Sequence, residues 1–182
     1  MLTHVSIFCI YMEIKSSNKY PSCALSNFAP HPFVLDGVEC KSMIGFLQSL
    51  KFESQDMQKY VCTLVGMAAK KKGMNKKWFR KQELYWNGVT YKRDSDEYQN
   101  LLNRAYNALF ENEGFKKALM STKGSKLTHS VGKTKPSETV LTASEFCSRL
   151  MKLRDVGLLP TVEPEKCENI EQNLYEKCEE TV

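Results

Sequence analysis

ALSNFAPHPFVLDGVECKSMIGFLQSLKF, residues 24–52, decides how the chain is read. Asp36–Gly37 separates Phe33–Leu35 from Val38–Cys40. That dipeptide suits a type I′ turn, which needs positive φ at both central positions and closes a two-residue hairpin. The hairpin runs directly into an apolar stretch with helical spacing, Ser42–Phe52. In that helix Gln48 and Lys51 are three residues apart and share one face. Ile44 lies one turn earlier on the same face. A lysine held against an apolar face can have a lowered pKa and serve as an amine nucleophile. A lysine so placed more often snorkels to solvent, and spacing alone favours that ordinary reading.

The pattern repeats downstream. Asn87–Gly88 separates Leu84–Trp86 from Val89–Tyr91 and predicts a second hairpin. Met57, Val61, Leu64, Val65 and Ala68 form a helical stripe, weakened by Gly66 and with Gly73 as its stop. A third helix is expected from about Asp96 to Glu111, with Tyr98, Leu101, Leu102, Ala105 and Leu109 inward, and a short one over Phe115–Met120. Thr142-Ala-Ser-Glu145 is a capping box, in which Thr142 is the N-cap and Glu145 the N3 partner. Gly157 and Pro160 end that last helix. Glu145 is accordingly expected to cap rather than to catalyse. The sum is an α+β fold, a mostly helical single domain with a small antiparallel sheet.

At 182 residues the chain is long enough for one domain with a proper core. Residues 161–182 hold seven Glu and two Lys; removing their net −5 from the chain's +5 leaves about +10 on the body. Such a body favours anionic partners, phosphates or nucleic acid. The acidic end, 159–182, reads as a disordered tail, and residues 1–11 as an N-terminal extension or strand. The apolar stretch Val5–Met12 has no basic leader and no small-residue cleavage site, so a strand is favoured over a signal peptide. No apolar run approaches the roughly 18 residues of a membrane span. Seven cysteines, an odd number with no CxxC pair, fit reduced thiols in a cytoplasmic compartment. No Cys/His spacing suits zinc, and neither a metal nor a cofactor is expected.

Two further stretches carry chemistry. Lys70–Lys81, KKKGMNKKWFRK, interleaves seven basic residues with Trp78 and Phe79. It could bind phosphate and stack a base, or be an exposed loop whose aromatics anchor in the core. Leu127–Thr142 is a long polar loop, and loops of that length in compact domains are often functional. His129, Ser130, Gly132 and Lys133 could surround a phosphate or sugar, or merely set the loop's course. No GxGxxG, Walker-type, HExxH or GxSxG pattern occurs.

Six segments in order resemble the NADAR family, proteins linked to NAD and ADP-ribose metabolism. They are Leu25–Phe28 (LSNF), Phe33–Val38 (FVLDGV), Ser42–Phe52, Ala108–Phe115 (ALFENEGF), Leu127–Lys133 (LTHSVGK) and Leu141–Leu150. The resemblance spans roughly Met12 to Arg154 and assigns a NADAR-like domain to residues 12–158. It implies an N-glycosidase that hydrolyses the C–N bond between a base nitrogen and an ADP-ribosyl or phosphoribosyl group. The implied partners are an ADP-ribose-like or phosphoribosyl ligand and ADP-ribosylated nucleic acid. By the same resemblance Lys51 is the covalent nucleophile and Gln48 a sugar ligand. Ser26, Asn27, Phe28 and Ile44 line the pocket, and His129, Ser130, Gly132 and Lys133 form its far wall near phosphate. One residue departs from the family pattern: Ile44 stands where a Glu, the acid–base group, is usual. Losing such a group typically costs about 10²–10⁴-fold in rate. Asp36 and Glu39, just upstream, are the candidate substitutes. The alternative function is a catalytically weak binder that sequesters an NAD-derived nucleotide, as in conflict between a virus and a bacterial host.

Overall fold

The computed structural model describes residues 10–162. The second half of the apolar stripe in 24–52 forms helix α2 (Met43–Ser49), every residue of which is buried. Its N-cap Ser42 accepts from the Gly45 amide at 3.1 Å and donates to Leu64 O at 2.9 Å, so the cap also fixes the next helix pair. Before it, strands β2 (Phe33–Leu35) and β3 (Val38–Cys40) pair antiparallel, with Phe33 opposite Cys40. Asp36 and Gly37 have φ of 49° and 76°, as the turn chemistry requires. Strands β4 (Glu83–Trp86) and β5 (Val89–Lys92) repeat this around Asn87–Gly88, with φ of 49° and 86°.

The remaining helices are α1 (Ser22–Leu25), α3 (Gln55–Cys62), α4 (Gly66–Met74), α5 (Asp96–Phe110), α6 (Glu113–Met120) and α7 (Ala143–Val156). The continuous stripe expected from Met57 to Ala68 is two helices: the chain breaks over Thr63–Val65, and Gly66 takes φ 55°. Gly73 is not a stop but lies inside α4. Asn112 caps α6 through the Phe115 amide and starts it two residues earlier than its apolar spacing suggests.

The sheet differs from the expected single antiparallel one. Three two-stranded pairings form, and one is parallel: β1 (Ile10–Glu13) lies beside β6 (Ser125–Thr128), with Ile10 opposite Ser125. Ile10 and Tyr11 thus belong to a strand of the domain.

The core is continuous between α2, α5, α7 and the hairpins. Phe46 of α2 meets Trp86 of β4 edge-on at 4.9 Å. The Trp86 indole N–H donates to Asp36 at 2.8 Å, and Arg104 of α5 pairs with the same carboxylate, tying both hairpins to α5. After α7, Gly157 adopts the left-handed conformation with φ 85°. The chain then lies along α5. Asn107 brackets Leu159 through its amide and carbonyl, and Asn103 and Asn100 hold Pro160 and Val162. The region read as tail therefore begins with packed chain; from 163 onward it lies outside the described residues. Among the described residues no helix is long and apolar enough to cross a membrane.

Candidate functional site

Helix α2 ends in a tightened turn: the Lys51 amide donates to Gln48 O and the Phe52 amide to Ser49 O. That turn brings the Lys51 and Gln48 side chains together, with Lys51 Nζ donating to Gln48 Oε1 at 2.8 Å. A second contact, 3.3 Å to the carbonyl of Gly73, comes from α4. The approach of α4 depends on Gly73, because a Cβ there would lie well inside contact distance of Gln48 Oε1. Lys51 is half-buried, and its ammonium is held on the Gln48 and Gly73 oxygens. Burial, and secondarily the charge of Lys133, lower its pKa from 10.5 to about 8.

This pair lines a cavity of about 470 Å³, within the range of small-molecule sites. On one side the loop after α1 contributes Ser26, Asn27 and Phe28, with Ile44 beside them. Asn27 is held rigidly: its carbonyl accepts from the Ile44 amide and its Oδ1 from the Tyr106 hydroxyl, both at 2.8 Å. On the other side stand His129, Gly132 and Lys133. His129 Nδ1 lies 2.7 Å from Ile14 O. A carbonyl only accepts, so that nitrogen carries the proton. The ring packs edge-on against Phe146 at 5.1 Å. Gly132 leaves room for this loop to fold onto α7, since a Cβ would come 2.6 Å from the His129 ring and 2.9 Å from Ala143.

Nine of the ten expected site residues thus border one cavity. Ser130 does not: its amide and hydroxyl both donate to Glu13 at 2.6 Å, away from the lining. The candidate carboxylates upstream are also elsewhere. Asp36 is taken by Trp86 and Arg104, and Glu39 makes a surface pair with Lys41. Neither lines the cavity. Ile44 does, and is 7% exposed.

The structure adds a wall that spacing did not reveal. Lys70, Met74, Lys76, Trp78 and Phe79 all border the cavity, so the polybasic stretch is part of the site. Lys70 sits 5.7 Å over the Phe28 ring and Lys76 4.3 Å over Phe52. The interleaving of basic and aromatic residues was the legible signal; its direction was not. Glu138 through Thr142 complete the rim. Among the described residues no cluster of His, Cys, Asp or Glu could hold a metal.

Comparison with known proteins places this geometry in a family. Residues 19–155 match the family described as bacteriophage protein GP30.3. A protein of Enterobacteria phage T4, an uncharacterized 17.1 kDa protein from the Gp30-rIII intergenic region, is 41% identical over 150 residues, covering 79% of this chain and 97% of that one. The NMR structure of the E. coli protein YbiA superposes with a TM-score of 0.55 at 19% identity, over 93% of this chain and 88% of that one. YbiA is a NADAR-family protein, so the shared fold agrees with the resemblance carried by the six segments. The chain belongs to the bacteriophage GP30.3 family and has a NADAR-like fold.

Proposed function

We propose that the protein is an N-glycosidase that hydrolyses the C–N bond between a base nitrogen and an ADP-ribosyl or phosphoribosyl group. The supporting observation is Lys51, a half-buried amine in a nucleotide-sized cavity with a pKa lowered to about 8. At pH 7 roughly one molecule in ten then carries the neutral amine that can attack a sugar carbon. Gln48 fixes the amine's position at 2.8 Å. Lys70, Lys76 and Lys133 supply the positive charge a phosphorylated sugar needs, and Phe28, Trp78 and Phe79 offer faces for a base. The site of action would be the cytoplasm of an infected host cell, given the phage relative.

A second reading is supported by Ile44. With an aliphatic side chain where the family's usual acid–base residue stands, the cavity would bind and sequester an ADP-ribose-like nucleotide without turnover. Single-turnover release of guanine base from ADP-ribosyl-guanine by wild type, Lys51→Ala and Ile44→Glu separates the two. Release abolished by Lys51→Ala carries the enzyme. Micromolar ADP-ribose binding with no release from wild type carries the sequestering protein, and no binding of either nucleotide sinks both.

A further inference from the structure

Glu138 is the one carboxylate among the described residues lining the Lys51 cavity. It ends a short 3-10 turn, Pro136–Glu138, in the long loop before α7. The backbone on both sides of it is pinned. Gln82 Nε2 donates to Ser137 O at 3.0 Å, and Nε of the buried Arg93 donates to Thr139 O at 2.8 Å. Its own amide donates to Lys135 O at 3.1 Å. The side chain, by contrast, is held loosely. It is 49% exposed and pairs at 3.8 Å with Lys133 and 3.9 Å with Lys135. Such exposed pairs are worth little and yield readily to a ligand. A fixed Cα, with a carboxylate held only by two long, exposed pairs at a cavity rim, suits a group that reaches a bound substrate.

We infer that Glu138 is a catalytic acid–base residue of this site, supplying the proton transfer that Ile44 cannot. The inference rests on the N-glycosidase reading. Across the cavity and through water, the Glu138 carboxylate takes a proton from the Lys51 ammonium, leaving a neutral amine and a neutral acid. Lys51 Nζ then bonds to the anomeric carbon while the C–N bond to the base breaks. The departing base nitrogen takes the proton from Glu138. Water next adds to the anomeric carbon, giving its proton to the Glu138 carboxylate. The bond to Lys51 Nζ breaks with its electrons returning to nitrogen, and the proton passes back from Glu138 to the amine. A base nitrogen is a poor leaving group as an anion, so this protonation carries much of the rate.

The test is single-turnover base release from ADP-ribosyl-guanine, run beside ADP-ribose binding by calorimetry. Glu138→Gln is expected to lower release about 10²–10⁴-fold while ADP-ribose affinity stays within about threefold. Adding Ile44→Glu to Glu138→Gln is expected to regain part of the rate, which a purely structural loss would not allow. Release by Glu138→Gln within a few-fold of wild type overturns the assignment and leaves the N-glycosidase reading standing. A loss of ADP-ribose affinity that accounts for the whole loss of rate also overturns it, making Glu138 a binding group. Wild type that releases no base overturns both.

Discussion

Lys51 owes its lowered pKa to burial and to Lys133, and the packing around it depends on Gly73. Burial is the largest cause of its lowered pKa and the charge of Lys133 the second. The folded value near 8 lies below the ordinary 10.5, so the folded protein favours the neutral amine. Stability carried by Lys51 is therefore gained as pH rises from about 8 to 10.5 and is absent below that window. With Glu138 relaying the Lys51 proton to the leaving base, the single-turnover rate should hold level below about 8 and fall above it, where that shared proton is lost. Lys133→Ala relieves one like charge and should move that curve to higher pH; an unmoved curve would mean that Lys133 does not influence the amine. Gly73→Ala pushes a methyl into Gln48 and should cost about 1–3 kcal/mol, as overpacking does. Thermal unfolding measures that loss as a lower Tm.

At the scale of elements, α7 shows how far local sequence reaches. Its capping box is present as the spacing foretold: the Glu145 amide donates to Thr142 Oγ1 at 3.1 Å and the Thr142 amide to Glu145 Oε2 at 2.7 Å. The spacing did not show that the same carboxylate takes both guanidinium nitrogens of Arg93, at 3.1 and 2.6 Å, from a loop 52 residues away. Burial alone would raise the Glu145 pKa, but Arg93 and the Thr142 amide outweigh it and hold it below 4.5. Glu145→Gln, neutral if the role were capping alone, should therefore cost about 1–3 kcal/mol, because a buried guanidinium loses its charge partner. Urea titration at pH 7 measures this. With the carboxylate pKa depressed, that stability is present above the ordinary value of 4.5 and is lost as pH falls through the lower folded value. Wild type and variant should thus converge in strong acid. The hairpins were legible for the same reason as the cap, since Asp36–Gly37 and Asn87–Gly88 encode their turns in two residues. The break between α3 and α4 was not, because Leu64 and Val65 continue the apolar stripe straight across it. Nor was the parallel pairing of β1 with β6, which joins residues 115 apart.

Across the whole molecule, non-local contacts assemble the cavity, and one of them closes the described chain. Gln48, Lys51 and Asn27 could be grouped from one stretch of sequence, but α4 meets Lys51 through Gly73 O, and the 129–142 loop is held in place by Ile14, Glu13, Gln82 and Arg93. Helix α5 runs behind this assembly. Its Tyr106 holds Asn27 at the cavity while Asn107, the next residue, holds Leu159 on the far side. Leu159 is 2% exposed, so the strap buries an apolar side chain as well as satisfying its backbone. Full burial of a leucine contributes about 1.5–3 kcal/mol. Its two backbone hydrogen bonds, at 3.0 and 2.8 Å, add about 0.5–1.5 kcal/mol each. A chain ending at Leu158 should accordingly be less stable than one ending at Val162 by about 2.5–6 kcal/mol. Asn107→Ala in the full chain should lose only the hydrogen-bond part, about 1–3 kcal/mol. Because Asn107 and Tyr106 are adjacent on α5, the shorter chain should also bind ADP-ribose more weakly through a loosened Asn27. Thermal unfolding of the two truncations, each read with and without ADP-ribose, tests this. Equal Tm values would show that Leu159–Val162 rests on α5 without stabilising it. A lower Tm with unchanged nucleotide affinity would separate the strap from the site.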